Sequence, residues 1–116
     1  MPHITIEHSA GLDVSHDLQA LCDALWQRFA THPAITAPDT VRVRTIASTA
    51  SRIGVEPQSF AHATLLLLPG RDDAMRMALA QLILNTLDEY LADVGSLTVR
   101  LSELQQPYLK RMKSND

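Results

Sequence analysis

Twice along this chain a short run of alternating apolar and polar residues leads into a longer stretch with helical apolar spacing and then into a second alternating run. That repeated order restricts the fold more than any other feature, because a period of two and a period of 3.6 do not exchange. In the first run, residues 2 to 8, Pro2, Ile4, Ile6 and His8 share one face, against His3, Thr5 and Glu7 on the other. A turn at Ser9-Ala10-Gly11 precedes a helix predicted over about 14 to 31. Leu18, Leu21, Cys22, Leu25 and Phe29 form its apolar stripe, and Asp13 or Ser15 is the candidate cap. His32-Pro33 and Ala37-Pro38-Asp39 interrupt the chain, since a proline disfavours helical geometry in the residue before it. Residues 40 to 47 are the second predicted strand, with Val41, Val43 and Thr45 on one face and Arg42, Arg44 and Ile46 on the other.

The second half repeats the order. Residues 48 to 58 mix Ser, Thr, Gly and Pro without a sustained period and read as a loop, with a short extended piece at 51 to 55. Residues 59 to 69 are almost continuously apolar and suit a strand covered on both faces, although Leu65 to Leu68 alone fits a helix equally well. A second helix is predicted over about 72 to 93, its acidic start suited to the positive end of the helix dipole. Met75, Leu79, Leu82, Ile83 and Tyr90 line one side of it, and Met77, Leu84 and Leu91 recur on the other, which points to neighbours on both sides and to an oligomer. Gly95 is expected to end this helix, and Leu97, Val99 and Leu101 alternate in a last strand. The basic tail from Tyr108 to Lys113 is expected to lie over a surface or fray.

The halves, about 2–47 and 59–103, each form a right-handed β-α-β crossover. Together they predict an α+β fold, one domain over 1–116, with a four-stranded sheet and two helices packed on one face. Aromatic residues make up only 4%, so the core must be aliphatic. A net charge of −3 gives no electrostatic footprint for nucleic acid. Cys22 is the single cysteine, which rules out an internal disulfide and a zinc cluster and favours a reducing compartment. With no basic leader and no apolar run long enough to cross a bilayer, the chain reads as cytoplasmic and without membrane partners. No metal, phosphate loop or dinucleotide fingerprint is expected, because the five histidines show no ligand spacing and the four glycines are isolated.

The chemistry is concentrated at the front of the chain. Pro2 follows the start methionine directly, and removal of Met1 would convert its nitrogen from an amide into a free secondary amine. An α-amino group titrates near ~7.7 to 8.0, and burial beside cations brings it closer to neutrality, where a general base works best.

Met-Pro-His ahead of a hydrophobic strand, Val41-Arg42-Val43-Arg44, and Phe60-Ala61-His62-Ala63-Thr64-Leu65 leading into Gly70-Arg71 resemble the 5-carboxymethyl-2-hydroxymuconate isomerase family of the tautomerase superfamily. The resemblance runs over nearly the whole chain, fading at 47–58 and after about Leu104. It implies the tautomerase-like form of the tandem fold, a homotrimer, no cofactor, and keto-enol tautomerisation of a small unsaturated polycarboxylic acid in aromatic-acid catabolism. It further implies that Pro2 shuttles the proton and that Arg42 and Arg71 hold the anionic substrate, with Arg44 in reserve. Arginine suits that task, because its planar fork matches a carboxylate and keeps its charge. His62, inside an apolar strand, reads as structural, and His3 and His8 as strand-surface residues. Two other readings follow from the same residues: a non-catalytic oligomeric binding module, and a tautomerase acting on a different enol, such as a phenylpyruvate-type enol or a halogenated acid.

Overall fold

The computed structural model describes residues 2–113. Its centre is a four-stranded sheet in the order β2-β1-β3-β4, built from β1 (His3–His8), β2 (Arg42–Ala47), β3 (Phe60–Leu67) and β4 (Ser96–Glu103). β1 runs parallel to β2, β3 runs parallel to β4, and the two pairs meet antiparallel along β1 and β3. The tandem β-α-β reading therefore holds, with the most apolar strands at the sheet centre. Register aligns His3 with Arg42 and Leu66, and Ile4 with Val43 and Leu65, so each rung presents one set of side chains to a single face.

One face is the core. Ile4, Ile6, Ala61, Ala63, Leu65 and Leu67 are buried there beneath helices α2 (Leu18–Ala30) and α3 (Asp73–Tyr90). On β3 the apparently continuous apolar run resolves into strict alternation of buried and half-buried residues. Within one chain, Phe60, His62, Thr64 and Leu66 are only half covered, which corrects the expectation of a strand sealed on both sides. Phe29 is the one aromatic residue in an otherwise aliphatic core among the described residues.

The helix ends depart from expectation for local reasons. A separate turn, α1 (Leu12–Ser15), precedes α2, because His16 turns extended at φ −134° and its ring bonds Asp93 at 2.6 Å. Asp17, not Asp13 or Ser15, then caps α2 by accepting from the Ala20 N–H at 2.9 Å. Asp72 caps α3 through the Met75 N–H at 2.8 Å. α3 stops at Tyr90, five residues ahead of Gly95. Gly95 has a different duty: a Cβ there would lie 2.6 Å from Cγ of Pro57 and 2.9 Å from its carbonyl oxygen, so any side chain at this position forces Pro57 to shift. Of the second apolar row on α3, Met77 stays 68% exposed, while Leu91 turns into the core just past the helix end. Residues 51–55 form no strand; the Gln58 amide closes that loop, accepting from the Ile53 N–H and donating to the Ile53 carbonyl. His8 also departs from its surface reading, being 2% exposed with Nδ1 on the Ser9 carbonyl at 2.8 Å. Between the helices, Arg28 donates to Thr86 on α3 at 2.9 Å and pairs with Glu89.

Phe29→Ala removes the largest core side chain and is expected to lower the unfolding free energy by about 3 to 5 kcal/mol in urea titrations. Gly95→Ala is expected to cost about 1 to 3 kcal/mol, because Pro57 backbone and ring must move together.

Candidate active site at the amino-terminal end of the sheet

Parallel pairing within each unit brings the starts of β1 and β2 and the ends of β3 and β4 to the same end of the sheet. Pro2 lies there, buried, on the core side with Ile4 and Ile6. Its carbonyl accepts the Arg42 N–H at 3.0 Å, extending the β1–β2 ladder by one residue. A proline at this position brings no N–H that the ladder must satisfy.

Arg42 shares this rung with His3 and sits on the opposite, helix-free face from Pro2. Its guanidinium folds back along the strand, donating to the Thr40 carbonyl at 2.8 Å and to the Met112 thioether at 3.2 Å. Arg71 follows β3 after Gly70, which adopts φ 119° to redirect the chain. Its guanidinium joins the end of β3 to the connector between α2 and β2, donating to Leu68 O at 3.3 Å and Ala34 O at 3.4 Å. That connector carries Ile35 and Val41 into the core, so Arg71 is on the Pro2 side. Arg44 is exposed one step further along the Arg42 face. The structure thus brings Pro2, Arg42 and Arg71 to one end of the sheet, but divides them between its faces.

The acceptors of these arginines are informative. Arg28 and Arg76 bond carboxylates, Glu89 and Glu103. Arg42 and Arg71 rest on carbonyl and thioether groups, and among the described residues no carboxylate lies within ion-pair distance of either, or of Arg44. Arg52, Arg100 and Arg111 likewise have no carboxylate within that distance among the described residues; Arg42 and Arg71 differ from them in being held by neutral acceptors.

Two neighbours escaped the sequence reading. His3 is half-buried and its Nε2 lies 2.8 Å from the Tyr108 hydroxyl, with the rings edge to face at 5.8 Å. Burial, followed by the nearby charges of Arg42 and Arg44, holds the His3 pKa below its ordinary value of 6.5. The available signal was a lone tyrosine in the basic tail, which gives no hint of a contact 105 residues away. His62 pairs in register with Glu7, four residues along β1 from His3, or about 13 Å at the strand rise. Its Nδ1 meets Thr98 Oγ1 at 2.7 Å, so both distance and bonding separate it from Pro2. Cys22 is half-buried, and burial pushes its thiol pKa up. Among the described residues no three His, Cys, Asp or Glu side chains gather to hold a metal ion, and no helix is long and apolar enough to cross a membrane.

Two open clefts of the chain do not have Pro2 in their lining. One of about 580 Å³ is bounded by Ser9, Leu12, Thr49 and Ser59 at the opposite end of the sheet, and another of about 450 Å³ by Asp73, Met77 and Leu101.

Two parallel β-α-β units joined antiparallel, with helices on one face, define a tautomerase-like fold, and solved structures agree. A 5-carboxymethyl-2-hydroxymuconate delta-isomerase superposes with a TM-score of 0.83 at 21% identity, over 97% of this chain and 89% of that one. A 5-carboxymethyl-2-hydroxymuconate isomerase from Deinococcus radiodurans R1 gives 0.80 at 20% identity, over 97% and 90%. A fused 4-OT wild type symmetric trimer gives 0.71 at 16% identity, over 92% and 89%. No curated protein matches the chain in sequence. The sequence model of the 5-carboxymethyl-2-hydroxymuconate isomerase family matches residues 2–115, and the chain belongs to that family of tautomerase-superfamily isomerases.

His3 is expected to titrate below 6.5 in NMR spectra, and Arg44→Gln to move its midpoint upward, by less at high salt because Arg44 is exposed. The folded chain favours the neutral ring, so the stability that His3 contributes is fully present above 6.5 and is lost as pH falls below it toward the lowered folded value.

Proposed function

We propose that Pro2 is the proton carrier of this isomerase, acting as a free secondary amine after removal of Met1, a residue outside the described ones. The substrate is a small unsaturated polycarboxylic acid bearing a 2-hydroxydiene, of the 5-carboxymethyl-2-hydroxymuconate kind. The observation that carries this reading is the burial of Pro2 at a sheet end where Arg42 and Arg71 keep uncompensated charge. In the reaction the Pro2 nitrogen takes the enol hydroxyl proton while the C–O bond becomes a carbonyl and the diene electrons shift. The resulting ammonium returns a proton to the distal carbon of the diene, completing the conjugated ketone with no net change in protons. Arg71, on the Pro2 side, binds a carboxylate and steadies the enolate charge, and an aliphatic surround strengthens both effects.

A division of the arginines between two faces fits a site completed by a neighbouring subunit. We place the working unit as a homotrimer, in keeping with the trimeric state named for the fused 4-OT structure. Arg42 of one subunit then serves Pro2 of another, and Arg44 supports the same anion. The chain is one domain over 1–116, with pseudo-repeat halves of about 2–47 and 59–103, placed in the cytoplasm and in aromatic-acid catabolism.

Pro2→Ala keeps an amine but makes it primary, and is expected to lower kcat by about 10²-fold with the unfolding midpoint unchanged. Wild-type turnover in that variant, or a mature protein whose mass still includes Met1, defeats the assignment. Arg71→Ala is expected to raise KM more than it lowers kcat if the guanidinium grips ground and transition states alike. A panel including phenylpyruvate enol and a halogenated unsaturated acid tests the choice of substrate against other tautomerase chemistry.

A further inference from the structure

The segment after β4 leaves the sheet at Leu104, whose N–H bonds the Leu67 carbonyl at 2.7 Å, and returns over the helix-free face at the Pro2 end. It touches that face through two side chains of different character. Tyr108 bonds His3 through its hydroxyl and packs its ring edge to face, a specific two-part contact. Met112 offers only a thioether to Arg42 Nη2, at 3.2 Å and with 56% of its surface exposed. A thioether is among the weakest acceptors a protein has, whereas a guanidinium donor forms its strongest bonds with carboxylates.

The surroundings fit an anion. On the same face the Arg42 rung is followed by a rung carrying Arg44, Thr5, Thr64 and Arg100, and Glu7 enters only one rung further on. Although the chain as a whole is acidic, this patch is cationic. An acidic tail would have neutralised Arg42; this one supplies a neutral sulfur between Arg111 and Lys113.

We propose that Met112 is a specificity-determining residue that occupies, on Arg42, the position of a substrate carboxylate, and that Tyr108 is the positioning residue that holds it there through His3. Binding exchanges sulfur for carboxylate oxygen, so the segment taxes weak or singly charged ligands and yields to a polyanion. This rests on the assignment of Arg42 to substrate binding. When a ligand must displace a segment docked some 70 to 90% of the time, its apparent Kd is raised by the reciprocal of the free fraction, about three- to tenfold.

The test is calorimetric titration of the purified full chain with fumarate, a plain dicarboxylate whose binding needs no chemistry at Pro2. Met112→Ala is expected to bind fumarate about three- to tenfold more tightly than the wild type. Tyr108→Phe, which keeps the ring and drops the hydroxyl, is expected to shift affinity in the same direction by less. With a 2-hydroxydienoate substrate, both variants are expected to lower KM and leave kcat unchanged, a split that general loosening of the fold does not produce. Arg42→Gln is expected to weaken fumarate binding and to abolish the gain from Met112→Ala. Unchanged or weaker binding in Met112→Ala, with Arg42→Gln still impaired, overturns the role of the segment and leaves Arg42 in the site. Unchanged binding in Arg42→Gln overturns both this inference and the Arg42 assignment, while leaving the Pro2 chemistry to be judged by Pro2→Ala.

Discussion

The hydrogen bond from the Arg42 N–H to the Pro2 carbonyl is the constraint on which the geometry of the sheet end depends. It pins a chain terminus, the part of a protein most prone to fray, into a parallel ladder. It does so by asking only for a carbonyl. While Met1 is attached, any other residue at position 2 would also bring an amide donor, whereas proline has none; once Met1 is removed the nitrogen is an amine that carries its own proton. The backbone is thereby anchored without engaging the proline nitrogen, and the atom proposed to carry the proton is left to the environment alone. Burial and cations are then the levers that set its basicity.

From that bond follows the division of labour between the faces. Parallel register places Arg42 opposite His3, and His3 and Pro2 are adjacent along a strand, so their side chains must diverge. A single chain consequently shows Arg71 on the Pro2 side and Arg42 with Arg44 on the other. Opposed faces are a poor way to build one pocket from one chain and a good way to build it from two. The half-covered state of Phe60, Thr64 and Leu66 on the helix-free face carries the same implication, because such residues in a small protein gain from being covered.

The sequence disclosed whatever depended on periodicity. β1, β2, β4 and the two long helices followed from spacing, β3 was read from an almost continuous apolar run whose alternation the structure discloses, and the face shared by Pro2, Ile4, Ile6 and His8 is the buried one. Reading His8 as a surface residue went against its own alternation, and the alternation was right. What escaped was set by partners far along the chain. The break at His16 is bonded to Asp93, the demand for glycine at 95 comes from Pro57, and the path of the tail depends on His3 and Arg42. No local pattern encodes such contacts. Arg42 and Arg71 were legible only through family resemblance, since an arginine on a strand or at a helix start ordinarily finds a carboxylate on the surface. In the structure both rest on neutral acceptors, and the proposed substrate-binding role is argued from that.

That contrast between arginines bears on how an acidic protein would receive the acidic substrate proposed for it. With net charge −3, the chain as a whole does not attract a polycarboxylate over long range, and salt screens what field there is beyond about 8 Å. Capture of the polycarboxylate proposed as substrate would then be short-range, by cations not spent on the protein's own carboxylates. The ion pairs of Arg28, Arg76 and His16 join helix to helix, helix α3 to strand β4, and turn to turn, tying elements together. At the Pro2 end Arg76 is paired with Glu103, whereas the Arg42 and Arg71 guanidinium groups are parked on carbonyls and a sulfur, which orient them without cancelling their charge. Orientation by neutral groups gives up little when a carboxylate arrives, because the incoming charge-assisted bond is roughly twice as strong as the neutral one it replaces. An arginine already paired with an aspartate would have to give up a bond as strong as the one it gained, and its contribution to binding would approach zero.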